Sequence, residues 1–97
     1  MRNNFNALLL KISDIVRSVL DDTDIKVNKD TILLGEESLV RSRELVEILL
    51  EIEDFMEDEF SFEFDWSSNS AMSEANSNYK TITTLTNYLL EILKKND

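Results

Sequence analysis

The chemistry open to this chain of 97 residues is limited first by what it lacks, because it contains neither cysteine nor histidine. Their absence excludes disulfides, thiolate nucleophiles and cysteine-based zinc sites, and it removes the most common general base and metal ligand. No calcium or phosphate-binding motif with correct spacing is present either. We therefore expect no metal site, no catalytic residue and no self-contained enzyme mechanism.

One serine stands out by its position. Ser42 lies between Arg41 and Arg43, immediately before a strongly amphipathic, acidic segment. Glu44 follows in what would be the first helical turn, where a carboxylate suits the positive end of the helix dipole. From these helix signals alone, the main interpretation of Ser42 is a cap that satisfies a free N–H group at the start of a helix.

A surface of one charge sign follows this serine. Ten acidic residues and no lysine or arginine occur from Glu44 to Asp65. A run of charge is usually a solvated helix face. It would also serve as a docking face for basic partner proteins, because electrostatic steering speeds such encounters. The residues expected on this face are Glu44, Glu47, Glu51, Glu53 and Asp54.

The overall charge narrows the choice of partners. A net charge of −10 and a pI near 4.3 argue against binding DNA or RNA, whose phosphates require lysine and arginine patches. The apolar run from Ala7 to Leu10 is broken by Lys11, which makes it too short for a signal-peptide core or a membrane span. We expect a monomeric cytoplasmic protein that does not insert into membranes.

Hydrophobic periodicity predicts an all-α fold with main helices over about residues 4–20, 42–57 and 81–95. The content of one glycine and no proline agrees with helices joined by polar loops. With a long loop after the first helix and a short irregular third helix, these elements predict a four-helix bundle in one domain, residues 1–97. The predicted buried face of the second helix consists of Leu45, Val46, Ile48, Leu49, Ile52, Phe55 and Met56.

The connections are less regular. Residues 25–28 alternate as a strand or a loop could, and Gly35 is expected to supply a positive φ in the long first connection. Phe60–Trp66 alternates like a strand, but it has no evident partner, so we predict an extended loop whose aromatic side chains enter the core. Residues 67–78 are rich in serine and asparagine, which predicts a solvated connection or a short helix near residues 71–75.

The spacing that follows Ser42 resembles that of the acyl carrier and peptidyl carrier family. Family members have a serine at the start of the second helix, apolar residues at +4, +6, +7 and +10, and acids at +5 and +11. The matching residues are Val46, Glu47, Ile48, Leu49, Ile52 and Glu53. Residues 30–35 resemble the entry to the family's first loop, and residues 79–85 resemble the start of its last helix. The longer segment before Tyr79 is similar to that of free-standing bacterial carriers.

This resemblance implies a 4′-phosphopantetheine arm, joined to the Ser42 hydroxyl by a phosphopantetheinyl transferase. The arm would carry an acyl or aminoacyl group as a thioester in a lipid, polyketide or other biosynthetic pathway. Partner enzymes that activate or transfer the group would dock on the acidic helix. The helix N-terminus, Arg41 and Arg43 would contact the phosphate. The residues expected to shelter the cargo are Leu49, Ile52 and Leu85.

Two residues depart from the family pattern. The family usually has aspartate immediately before the serine and an apolar residue immediately after it, whereas this chain has Arg41 and Arg43. In family members that aspartate helps the transferase to hold its metal and substrate. The alternative function is therefore a helical interaction module that keeps the carrier fold without the arm.

Ser38 is a second candidate for attachment, because Glu37-Ser38-Leu39 resembles the acid-Ser-Leu of the family locally. Counted from Ser38, however, position +4 is Ser42 and position +6 is Glu44. The apolar pattern of the following helix therefore fails, and helical periodicity favours Ser42 as the attachment point.

Overall fold

The computed structural model describes residues 5–21, 26–35, 38, 40–66 and 78–96. Within these ranges the chain forms three α-helices and no strand. The helices are α1, Phe5–Leu20; α2, Ser42–Phe60; and α3, Ile82–Asn96. The three main helices predicted from periodicity are thus confirmed. The short helix predicted near residues 71–75 lies outside the described residues.

The helices share one hydrophobic core, in which α1 packs against both α2 and α3. The α2 and α3 backbones approach each other less closely than either approaches α1. Each helix contributes apolar side chains spaced three or four residues apart, as expected for one buried stripe per helix. The fully or nearly fully buried side chains of the three stripes are Leu8, Ile12, Ile15, Val16, Ile48, Leu49, Ile52, Met56, Ile82, Leu85, Leu89 and Leu93.

The buried face of α2 is narrower than the sequence predicts. Val46 was expected in the core and is 42% exposed, so that prediction is wrong, and Phe55 is only partly buried. A helix turns by about 100° per residue, so Val46 lies one step away from the stripe that begins at Leu45. Leu50, one turn after Val46, is 47% exposed on the same side. Two apolar side chains therefore lie among the acids on the outer surface of α2.

The end of α2 also differs from the expected position. The helix extends to Phe60, a residue that was assigned to the following loop. Phe60 packs edge-to-face on Phe55 with ring centroids 5.8 Å apart, which favours the extra turn. Ser61 then adopts a left-handed conformation with φ of 52°, and its N–H group donates to the Glu57 carbonyl at 3.0 Å. This C-terminal cap ends the helix.

The segment after α2 is an extended loop, as predicted. Phe64 is 2% exposed, and its ring lies edge-to-face with Tyr88 of α3 at 6.3 Å between centroids. Phe62 and Trp66 are partly buried against the core. The alternating aromatic residues therefore pack into the helical core without a strand partner among the described residues.

The connection between α1 and α2 is held against the start of α3. The Ile82 N–H group donates to the Thr31 carbonyl at 3.2 Å, and the Thr83 N–H group donates to the Lys29 carbonyl at 3.0 Å. These are N–H groups of the first turn of α3, which have no partner within the helix. The loop thus caps α3, and it buries Leu33 as an apolar anchor.

Thr81 and Thr84 complete the start of α3. The Thr84 N–H group donates to the Thr81 hydroxyl at 3.1 Å, and the Thr81 N–H group donates to the Thr84 hydroxyl at 3.0 Å. This reciprocal pair has the geometry of a capping box in which threonine replaces the usual glutamate. Gly35, within the connection between α1 and α2, has φ of 108°, which confirms the predicted positive angle.

Replacing Phe64 with alanine is expected to lower the free energy of unfolding by about 3 kcal/mol or more, because it leaves a cavity in the core. Phe62→Ala, at a partly buried position in the same loop, is the matched control and should cost about 1 kcal/mol. Urea unfolding followed by far-UV circular dichroism measures both. Equal losses in the two variants would show that Phe64 is not the anchor of the loop.

Candidate functional site

Ser42 is the first residue of α2, and Arg41 occupies the N-cap with extended backbone angles, φ −86° and ψ 165°. The Ser42 side chain is exposed, and its hydroxyl has no hydrogen-bond partner among the described residues. The interpretation of Ser42 as the capping side chain is therefore wrong. Ser42 is thus an exposed residue in the first turn of α2, and its hydroxyl makes no hydrogen bond to any described residue.

Glu44 has the capping role instead. Its carboxylate accepts a hydrogen bond from the Arg41 N–H group at 2.8 Å. The first helical bond runs from the Leu45 N–H group to the Arg41 carbonyl at 2.9 Å. The Arg41 side chain has no acceptor atom and cannot complete a capping box. Glu44, expected on the docking face, is thus engaged in fixing the start of the helix on which Ser42 lies.

Ser38 differs from Ser42 in the state of its hydroxyl. The Ser38 hydroxyl donates to the Val40 carbonyl at 2.8 Å and accepts from the Val40 N–H group at 3.0 Å. The residue is partly buried, and Val40 is buried. Ser38 therefore closes a local turn before α2, a structural role typical of serine in loops.

Arg41 and Arg43 flank Ser42 with exposed side chains. Within the described part of the chain, ion pairs occur between Arg17 and Asp14 and between Lys95 and Glu91, and neither flanking arginine takes part in one. Two guanidinium groups are thus available next to the serine. The positive end of the α2 dipole adds to their charge.

The acids predicted to dock partners fall into two groups. Glu47, Glu51 and Asp54 are exposed and have no ion-pair partner among the described residues. Glu53 is partly buried and accepts a hydrogen bond from the Trp66 indole N–H group at 3.0 Å. Glu53, like Glu44, therefore has an intramolecular role that its position in the acidic run does not reveal.

A tyrosine continues this connection. The Tyr79 hydroxyl donates to the Trp66 carbonyl at 3.4 Å, and its ring lies edge-to-face with Tyr88 at 5.9 Å between centroids. Tyr79 is 1% exposed. Burial raises the pKa of Tyr79 well above its usual range, and nearby Tyr88 and Asp65 raise it further. Trp66, at the end of the loop after α2, is thus hydrogen-bonded to Glu53 of α2 through its indole and to Tyr79, shortly before α3, through its carbonyl.

The residues expected to shelter a cargo are brought together. Leu49, Ile52 and Leu85 are all buried members of the hydrophobic core. They come from α2 and α3, the two helices whose backbones approach each other less closely. A group placed between these helices would contact all three side chains only after displacing some of the packing around them.

Comparison with protein-family models, curated protein sequences and solved structures found no match to this chain. None of the described helices is long and apolar enough to cross a membrane. In the same described ranges, no three acidic side chains converge closely enough to hold a metal ion. The hypothesis of a modified serine therefore depends on the residue pattern and on the geometry around Ser42.

Glu44→Ala is expected to lower the free energy of unfolding by about 1 kcal/mol, because it removes the carboxylate that satisfies the Arg41 N–H group. Ser42→Ala should change it by less than about 0.5 kcal/mol, since the hydroxyl makes no bond in the described structure. Thermal and urea unfolding of both variants give the comparison. A larger loss for Ser42→Ala would mean that Ser42 is the cap.

The buried Tyr79 predicts a loss of stability at alkaline pH. The unfolded chain releases the Tyr79 proton near its usual pKa of about 10, whereas the folded chain retains it, so the free energy of unfolding falls as pH rises above about 10. Tyr79→Phe removes this contribution and should show a smaller fall as pH rises above about 10. Urea unfolding at several pH values measures the difference, and parallel curves would contradict it.

Proposed function

We propose that this chain is a carrier protein in which Ser42 bears a 4′-phosphopantetheine arm, and that an acyl or aminoacyl group is carried on the arm as a thioester. The observation that carries the proposal is the state of the Ser42 hydroxyl. It is exposed, lies at the first position of α2 and has no hydrogen-bond partner among the described residues. The other serine that resembles the family site, Ser38, is engaged in a turn.

Attachment of the arm would use a phosphopantetheinyl transferase and coenzyme A. The Ser42 oxygen would bond to the phosphorus of the arm and lose its proton, while the adenine nucleotide part of coenzyme A leaves. The resulting phosphodiester would lie at the N-terminus of α2, where first-turn N–H groups and the helix dipole favour an anion. Arg41 and Arg43, both exposed, could add charge-assisted hydrogen bonds to it.

The proposed fold is the four-helix bundle of the carrier type. In support, α1 packs on both α2 and α3, a long connection separates α1 from α2, and the extended loop 61–66 fills part of the space towards α3. The fourth helix of this proposal is the short one predicted from the sequence near residues 71–75, which lies outside the described residues. The proposed carrier does no catalysis, because the reactive thiol belongs to the arm.

The proposed docking face for partner enzymes is the exposed part of α2. Glu47, Glu51 and Asp54 supply negative charge, and the exposed Val46 and Leu50 lie among them. Apolar contacts at the centre of an interface surrounded by charges give affinity as well as steering. In this proposal, Glu44 and Glu53 support the face by holding the helix start and the following loop.

The proposal is tested by the intact mass of protein incubated with a phosphopantetheinyl transferase and coenzyme A. The wild-type chain and Ser38→Ala should each gain one phosphopantetheine, and Ser42→Ala should gain none. Ser38→Ala is the matched control, because it removes a hydroxyl four residues away, in the connection before α2. A gain that persists in Ser42→Ala would exclude Ser42 as the attachment point.

The alternative is an interaction module with the carrier fold and no arm, and it is favoured by Arg41 in place of the family's aspartate. If no transferase, including one from the native host, adds mass to the chain, this result would support the alternative and contradict the carrier proposal. If modification is weak, Arg41→Asp shows whether the cause is the arginine before Ser42 or another part of the chain. If that variant is modified faster than wild type, the defect lies in Arg41.

A further inference from the structure

A groove of about 640 Å³ runs along the seam between α1 and α2. Its α2 residues extend from Glu51 to Phe60, so it begins about 13 Å along the helix from Ser42. Apolar side chains of both helices form its floor: Leu8, Ile15, Phe55 and Phe60. The groove is therefore separate from the serine end of α2, but it includes Glu51 and Asp54 of the docking face described above, so the inference below rests on and deepens that part of the proposed function.

The edge of this groove on α2 is strongly acidic. Glu51, Asp54, Asp58 and Glu59 line it with exposed side chains, and none has an ion-pair partner among the described residues. Lys11 is the one cation in the lining. Four carboxylates against one ammonium leave the groove with a clear excess of negative charge, which a basic ligand would complement.

Two of these acids are unfavourable for the helix itself. Asp58 and Glu59 lie in the last turn of α2, at the negative end of the helix dipole, and that turn contains no basic residue. Acids at a helix C-terminus destabilise it by a few tenths of a kcal/mol or more. The helix dipole therefore does not favour these two acids, whereas a basic partner would.

Lys11 indicates which chemical group the groove accommodates. Its ammonium nitrogen lies 5.3 Å from the centre of the Phe55 ring, within the range of a cation–π interaction. The chain thus places one of its own cations over the aromatic floor. A lysine or arginine of a partner would find the same aromatic surface together with the unpaired carboxylates.

A second cavity of about 310 Å³ continues the seam towards Ser42. It is lined by Ser18, Val19, Glu47 and Leu50, and it shares Glu51 with the first groove. The α2 part of the combined seam, from Glu47 to Phe60, is about 20 Å long. Its acids are spaced four, three and four residues apart, at positions 47, 51, 54 and 58, so they form one stripe.

We propose that this seam binds a basic amphipathic helix of another protein. Apolar side chains of that helix enter the groove above Leu8, Phe55 and Phe60, and its lysine or arginine side chains pair with the acidic stripe. A helix matches better than an extended strand, because helical side chains three and four residues apart repeat with the same axial spacing as the stripe. A second copy of this chain, with a net charge of −10, would be repelled.

The test uses Ser42→Ala protein, so that no arm is involved. The probe is a fluorescein-labelled helical peptide of about 14 residues, in which leucines form one face and lysines the other; binding is followed by fluorescence anisotropy. Asp54→Lys with Asp58→Lys should weaken binding by about tenfold or more. Asp30→Lys with Glu63→Lys has the same net charge, lies outside the groove lining and should weaken it by less than about threefold.

Lys11→Met provides a second comparison that moves affinity in the opposite direction. Removing the one cation of the groove should tighten peptide binding by about threefold, whereas Lys94→Met, an exposed lysine of α3, should leave it nearly unchanged. A peptide of the same composition in scrambled order should bind more weakly than the amphipathic one.

Equal effects of the two double variants, or of the two methionine variants, would show that the peptide responds only to overall charge and would overturn the proposal. Self-association of the unmodified chain through this seam, detected by sedimentation and abolished by Asp54→Lys with Asp58→Lys, would also overturn it. Because the arm is absent throughout, failure here would count only against the docking face of α2 and would leave the proposed attachment of the arm to Ser42 standing. Failure of the mass experiment likewise leaves the seam proposal standing.

Discussion

The structure depends on main-chain hydrogen bonds that join the connection after α1 to the start of α3. The N–H groups of Ile82 and Thr83 donate to carbonyls of this connection, and the Leu33 N–H group donates in return to the Lys80 carbonyl at 2.6 Å. First-turn N–H groups need acceptors from outside their helix, and here a distant loop supplies them. The same contacts hold Thr31 and Leu33 of the connection against the start of α3.

The acidic residues of α2 fall into two groups in the folded chain: some accept hydrogen bonds within the protein, and others are exposed. Glu44 and Glu53 accept hydrogen bonds from the main chain and from an indole, and both are partly buried. Their neighbours Glu47 and Glu51 remain exposed, because the helix turns them away from the core. A residue's role in this helix is thus set by its angular position relative to the buried stripe, and not by membership in the acidic run.

Periodicity predicted the three helices because each has a buried stripe long enough to be recognised from spacing alone. Periodicity wrongly predicted that Val46 is buried, since the sequence does not distinguish an apolar residue beside the buried stripe from one within it. It also failed at Phe60, where a ring contact with Phe55 extends the helix. The aromatic loop was predictable because a single strand without a partner leaves its main chain unpaired.

The bonding state of the two serine hydroxyls could not be predicted, because it depends on backbone angles. The buried Thr86 was likewise unforeseen; its hydroxyl donates to the Ile82 carbonyl at 2.7 Å, so the polar group is satisfied within its own helix. The seam between α1 and α2 could not be predicted either, because it forms only when two helices separated by a long connection pack together. Local patterns contain no information on such juxtapositions.

The hydrogen bond between Trp66 and Glu53 has a practical consequence. Trp66 is the single tryptophan of the chain, and it lies between the acidic face of α2 and the approach to α3. Indole emission responds to hydrogen bonding and to solvent, so any event that separates the loop from α2 would alter the fluorescence of the native protein. The chain thus contains an intrinsic optical reporter, which requires no label, at the junction of its helices.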